Sequence, residues 1–373
     1  MTKMFLKKLL ICAVVFLIIV SSNNLVKAET NETQKEGNVN GVSDGVVISD
    51  TERNRLKELG YIDDYINNMT EEQYNATKEE AVLDTQVVTE FIKTTEYFED
   101  ENWVNEENPE VIDTEQEILT QAEFNEEVSE LKENTQEILE DDSKAAQSIK
   151  QKALSNDSVS LFAVADDGGL ASSTTGTNSN SNYKKLTITI KKLTSNTFLL
   201  TAKMDWKKVP ANRLKDIISV AWDSTDDYNY ILSSLYGTQV ATGVNPWNGK
   251  KKVITYTYDR VNEANLWDVN KTGISLVQNL KDDWDVYEVQ DIVQTMQVKL
   301  EKDTTWNTKW LNAGAVYMHQ TKNVSFGVDS FSIGATGGTS GVDGSLEISF
   351  KAPEVKKSFD TQFKAYAQLR LKW

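Results

Sequence analysis

The chain has 373 residues and a net charge of −18, from 57 Asp and Glu against 39 Lys and Arg. Cys12 is its only cysteine and His319 its only histidine. This excludes a disulfide scaffold, a cysteine-based zinc site and a multi-histidine metal centre.

Residues 1–28 have the layout of a secretory signal peptide. Lys3, Lys7 and Lys8 precede an apolar run from Leu9 to Val20, and Val26-Lys27-Ala28 offers a small-residue cleavage site. The run is too short for a helix that crosses a bilayer, which needs about 20 apolar residues. Cys12 follows Ile11 inside the run, a placement that does not fit a lipoprotein signal. The expectation is an exported chain with no permanent membrane span.

Charge is unevenly spread. Glu29 to Ala165 holds 35 acidic against 10 basic residues, whereas Asp166 to Trp373 holds 22 against 25. An acidic surplus of this size argues against nucleic acid or an anionic membrane as partner of the N-terminal region.

Residues 29–49 read as a disordered leader and 50–150 as an acidic helical region. A first helix follows Asp50-Thr51, with Gly60 as its C-cap. A second fits Asp63 to Met69. Thr70 and Gln73 form a capping box for a third, running toward Phe91 to Phe98. The segment from Leu56 to Gln73, LKELGYIDDYINNMTEEQ, resembles a helix-turn-helix element that recurs near the start of the mature part of secreted Gram-positive proteins. A longer helix is expected from Thr114 to Glu140, where Phe124, Val128, Leu131 and Ile138 form a narrow apolar stripe. It reads either as a pro-segment masking the C-terminal domain or as a solvated spacer. Residues 151–183 read as a linker, rich in Gly, Ser, Thr and Asn from Asp166 onward.

From Lys184 the period is two. Leu186, Ile188 and Ile190 share a face, as do Phe198, Leu200, Ala202, Met204 and Trp206, then Met296, Val298 and Leu300, and finally Phe363, Ala365, Ala367 and Leu369. The fold class is therefore mainly β: an antiparallel β-sandwich over 184–373, preceded by the small acidic α-helical region and the disordered linker. The segment from Trp206 to Trp222, with Arg213 and Asp216 placed for an ion pair, is similar to segments in uncharacterised secreted Gram-positive bacterial proteins. That resemblance implies no activity.

Eight of the nine tryptophans lie in the β-domain. Trp206, Trp222 and Trp373 continue apolar faces, whereas Trp247, Trp267, Trp284, Trp306 and Trp310 sit among Asn, Asp, Lys and Thr. An indole beside such residues either stacks on a sugar or caps the end of the sandwich. Asp223, Asp226 and Asp227 form one acidic cluster, and Asp282, Asp283, Asp285 and Glu288 another. Asp282, Asp283 and Asp285 are the candidate calcium ligands, since oxygen donors at short spacing suit that ion; solvated turns have the same composition. His319 would share a strand face with Ala315 and Tyr317, as a packed structural residue or as a general base lacking an identified partner. Two alternating segments from Val324 to Phe350 resemble the hairpins of β-pore-forming toxins and equally an ordinary surface hairpin.

These features together predict a secreted extracellular binding protein, with cell-wall polysaccharide or another surface component as partner, rather than an enzyme. The alternatives are a latent membrane-active protein with an acidic pro-segment and a carboxylate-dependent hydrolase. The chain closes on a strand without a sorting motif, so release or non-covalent retention at the wall is expected.

Overall fold

Helix-capping residues set the first described elements. In a computed structural model that describes residues 46–98, 109, 111–131, 179–222, 228–303, 310–335 and 346–370, the Ser49 side chain accepts the Glu52 amide to open α1 (Asp50–Leu59). Gly60 closes it in the left-handed region at φ 103°. Helix α2 (Asp63–Asn67) follows, and α3 (Glu71–Ala76) starts with both bonds of the Thr70/Gln73 capping box made. Leu56, Leu59, Tyr61, Tyr65, Ile66 and Met69 from this region pack against Leu193, Leu199 and Tyr236. The small helical region is present and docked. The signal-peptide segment, Asp223, Asp226, Asp227, Trp306 and Trp373 lie outside the described residues.

Two expected helices are corrected. The third stops at Ala76, and Asp84–Phe98 is strand β1. Val111–Leu119 is strand β2, so the helix expected from Thr114 begins only after Thr120 and covers residues 121–131 among those described. Thr120 caps it: its hydroxyl donates to Glu123 Oε2 at 2.7 Å and accepts the Glu123 amide at 3.3 Å. The reason for strands here is cross-strand pairing, which overrides the helix propensity of Glu and Gln. Strand β1 pairs along its length with β3 (Ser179–Lys192) and over its second half with β2. Strand β3 starts inside the span read as linker.

The remaining strands are β4 (Thr197–Lys208), β5 (Lys215–Trp222), β6 (Tyr228–Tyr230), β7 (Tyr236–Val244), β8 (Lys251–Asp259), β9 (Trp267–Asn270), β10 (Gly273–Asn279), β11 (Glu288–Lys302), β12 (Trp310–His319), β13 (Phe331–Ala335), β14 (Leu346–Phe350) and β15 (Phe363–Arg370). Among the described residues they form an antiparallel sheet in the order β2-β1-β3-β4-β11-β7-β8, with β6 on β11. A second runs β15-β12-β5-β10-β9, and β13 pairs with β14. The first two sheets share one core, including Leu186, Leu200, Met204, Trp206, Ile218, Trp222, Met296, Tyr317 and Leu369. Each such aliphatic side chain contributes about 1.5–3 kcal/mol on burial.

The second sheet is covered on its other face too. Phe331, Ile333 and Ile348 of the β13–β14 hairpin pack on Ile217, Ala221, Val277, Val316 and Met318. Strand β5 is accordingly buried at every residue from Asp216 to Trp222, and β12 from Leu311 to His319. Space for the hairpin depends on Gly273, where a Cβ would stand 2.7 Å from Ile333 Cγ2.

Candidate functional site

One end of the inter-sheet core is polar. On β1, Thr94 and Glu96 follow Ile92 on the inward face, and on β3 Asn182 and Lys184 precede Leu186. Strand register sets Asp216 of β5 opposite His319 of β12. His319 Nδ1 lies 2.7 Å from Asp216 Oδ1, and the Tyr317 hydroxyl donates to Asp216 Oδ2. Trp206 Nε1 donates to the Tyr317 oxygen at 2.9 Å. Asp360, just before β15, accepts the His319 amide on Oδ1 at 2.7 Å and Lys184 Nζ on Oδ2 at 2.9 Å. Glu96 Oε2 accepts from Asn180 Nδ2 and the Ala211 amide, each at 3.3 Å. His319 Nε2 is 3.9 Å from Glu96 Oε1.

Burial governs the proton balance of this cluster. Desolvation pushes the Glu96 carboxyl above its ordinary range, against the opposing pull of His319. Asp216 is also raised by burial, although His319 and Tyr317 favour its ionised form. The His319 ring is pushed down by burial but raised on balance by Asp216, Asp360 and Glu96. Tyr317 is driven well above the usual phenol range by burial and the Asp216 charge. Burial thus favours the protonated carboxyl at Glu96, and the surrounding carboxylates favour the protonated ring at His319. His319 and Asp216 are 1% and 0% exposed, so a dissolved substrate does not touch them. Sealed in this way, the cluster holds backbone as well: Asp360 accepts the His319 amide.

The most exposed tryptophan among the described residues lies at the far edge of the first sheet. Asn245 and Asn248 shape the β7–β8 turn: their side-chain oxygens accept the Trp247 and Lys250 amides, both at 2.9 Å. Gly249 takes φ 66°. Trp247, in this turn, is 79% exposed. Beside the same hairpin, Trp284 and Tyr287 bridge through a tight turn with Asp285 at φ 51°. Their rings stack at 5.9 Å. Trp284 reaches over β7 at Gly243, where a Cβ would lie 2.6 Å from its ring. Lys252 Nζ stands 5.7 Å from the Tyr287 ring centre, and Lys281 Nζ 5.6 Å from Tyr256 and 5.7 Å from Trp284. The result is a ledge of half-buried aromatic rings and lysines leading to an exposed indole.

The five tryptophans singled out in sequence therefore separate. Trp247 is exposed in the β7–β8 turn, whereas Trp284, over Gly243 of the same hairpin, is half-buried and packs against the shared core. Trp310 is on the second sheet, 39% exposed and covered by the Arg370 guanidinium at 5.5 Å. Trp267 is buried in the shared core. In the acidic segment, Asp283 Oδ1 accepts Arg213 Nη1 at 2.5 Å and the Val289 amide at 2.7 Å, and Asp285 faces Lys252 at 3.9 Å. The expected Arg213–Asp216 pair is thus replaced: Arg213 goes to Asp283, and Asp216 turns inward. Among the described residues no group of three or more His, Cys, Asp or Glu side chains is arranged to hold a metal ion. Sequence reading singled out His319 and Asp216 but not their pairing with each other, and it missed Lys184, Glu96 and Asp360. A lysine and a glutamate interrupting inward-facing apolar positions were the available signal.

No protein-family model matches this chain, and no curated protein matches it. Among solved structures, the chain is similar to the collagen-binding domain of a Staphylococcus aureus adhesin at 11% identity, over 36% of this chain and 82% of that one, with a TM-score of 0.21. It is similar to the collagen-binding subdomain of the Enterococcus faecalis surface protein ACE at 8% identity, over 46% and 87%, with a TM-score of 0.22. The N-terminal domain of the Streptococcus gordonii adhesin Sgo0707 gives 12% identity, over 65% and 54%, and a TM-score of 0.19. Likenesses this low carry no argument about ligand or partner. No helix among the described residues is long and apolar enough to cross a membrane.

Proposed function

We propose that this chain is an extracellular binding protein that presents the ledge beside the β7–β8 hairpin to a carbohydrate of a cell wall or another surface. The observation that carries the reading is Trp247, an indole 79% exposed at the tip of a hairpin whose side holds Trp284, Tyr287 and Tyr256. Apolar ring faces stack on the C–H faces of sugars, while Asn245, Asn248, Lys252 and Lys281 supply polar groups for hydroxyls or acidic substituents. Binding rather than hydrolysis is supported by the burial of the His319–Asp216 pair away from solvent. The signal-peptide layout of residues 1–28 supports an extracellular location.

The test is retention of the full exported chain on insoluble cell-wall glycan, compared with Trp247→Ala and, as a control on the other sheet, Trp310→Ala. Retention should drop at least tenfold for Trp247→Ala and stay unchanged for Trp310→Ala. Equal retention of all three proteins, or none by the unaltered chain, would remove the ledge as the binding surface.

A further inference from the structure

Lys184 and Asp360 are 176 positions apart in sequence and meet inside the core, with Nζ 2.9 Å from Oδ2 and side chains 0% and 1% exposed. The partners of both groups leave little freedom. Asp360 Oδ1 accepts the His319 amide at 2.7 Å, the Asp360 amide donates to the His319 carbonyl at 2.9 Å, and Gln116 Nε2 approaches Oδ2 at 3.4 Å. The ammonium lies 4.7 Å from the Trp206 ring centre and 5.6 Å from that of Tyr317. Both aromatic faces shut water out.

We infer that Lys184 and Asp360 condense to an intramolecular amide, a covalent cross-link between strand β3 and the segment leading into β15. The geometry is that of a held nucleophile and a held acyl carbon, which removes the entropic part of the barrier. The ammonium passes a proton to Oδ2 along their 2.9 Å hydrogen bond, giving a neutral amine and a carboxylic acid. The amine lone pair then attacks Cγ. Charge developing on Oδ1 falls on the His319 amide, which already donates to that atom. A second proton moves from nitrogen to the Oδ2 hydroxyl, the Cγ–Oδ2 bond breaks, and one water leaves. An ammonium and a carboxylate become one amide plus one water, with no change in oxidation state and no co-reactant. The same exclusion of water protects the product from hydrolysis.

The decisive measurement is the intact mass of the denatured full chain, followed by peptide mapping. The expected mass is one water below that of the sequence after any N-terminal processing. Trypsin should leave Lys184 uncleaved, and one branched peptide should contain both Lys184 and Asp360. Lys184→Arg keeps a cation at the site without forming this amide, so its mass should match its sequence. An unaltered chain of full mass that yields separate linear peptides for the two residues would overturn the inference and leave a plain buried ion pair. This readout needs only the unaltered protein, so poor folding of the variant does not obscure it.

Discussion

Glu80 and Lys299 join the N-terminal helical region to the first sheet through a buried ion pair. Lys299 Nζ donates to Glu80 Oε1 at 2.7 Å, Tyr61 donates to Oε2 at 2.7 Å, and the ammonium sits 5.2 Å from the Tyr61 ring centre. Side-chain exposure is 8% for Lys299 and 3% for Glu80. A charge pair in such surroundings stabilises weakly while intact and destabilises strongly when one member is lost.

Lys299→Met should therefore destabilise the chain by about 3–5 kcal/mol, because it strands the Glu80 carboxylate. The double variant Glu80→Gln/Lys299→Met should recover most of that loss. Denaturant melts of the three variants check this, and a double variant no better than the single would show that packing rather than charge governs the contact.

Stability should fall as pH rises. Glu96 and His319 both bind protons more tightly in the folded chain than at their ordinary values of 4.5 and 6.5. Each contribution is fully present below the ordinary value and is lost as pH rises through the folded one. Asp216, Lys208 and Tyr317 are the titratable neighbours that set the depth of the effect, joined by Asp360 and Lys184 in any chain where these two remain uncondensed. Thermal melts of the unaltered chain should decline from about pH 5 upward. His319→Gln should lessen the decline above pH 6.5, and Glu96→Gln the decline that begins at 4.5.

Two tryptophans should behave oppositely on truncation. Trp247→Ala removes an exposed ring and should change stability by no more than about 0.5 kcal/mol. Trp267→Ala opens the shared core and should cost about 3–5 kcal/mol. Parallel denaturation curves settle the contrast.

Gly243 fixes the height of the aromatic ledge. Gly243→Ala drives a methyl into the Trp284 ring and should cost about 1–3 kcal/mol through overpacking. Glycan retention should weaken with it, since Trp284 and Tyr287 move together. Intrinsic fluorescence and the retention assay, run on the same protein, report both effects.

Legibility in the sequence follows locality. Alternation at period two is a short-range pattern, so Leu186 to Ile190, Phe198 to Trp206 and Phe363 to Leu369 announced strands that the structure contains. Capping signals are equally local: Gly60, Thr70 and Gln73 mark helix ends, whereas the first helix, expected to follow Asp50-Thr51, is capped one residue earlier, by Ser49. The first two strands were illegible for a physical reason. Inward positions of β1 carry Thr94 and Glu96, and β2 is buried only at its two ends, so neither shows apolar alternation.

Local chemistry was enough to establish a mainly β chain with a small capped helical start, because side-chain alternation and capping act over a few residues. Long-range pairing was needed to turn part of the acidic region into two strands of the first sheet, and to make Trp267 core while Trp247 is surface. It also gathered Glu96, Lys184, Asp216, His319 and Asp360 into one sealed cluster. Those outcomes depend on strand order and register across five separate segments, and pairing over such distances leaves no trace in the spacing of neighbouring residues.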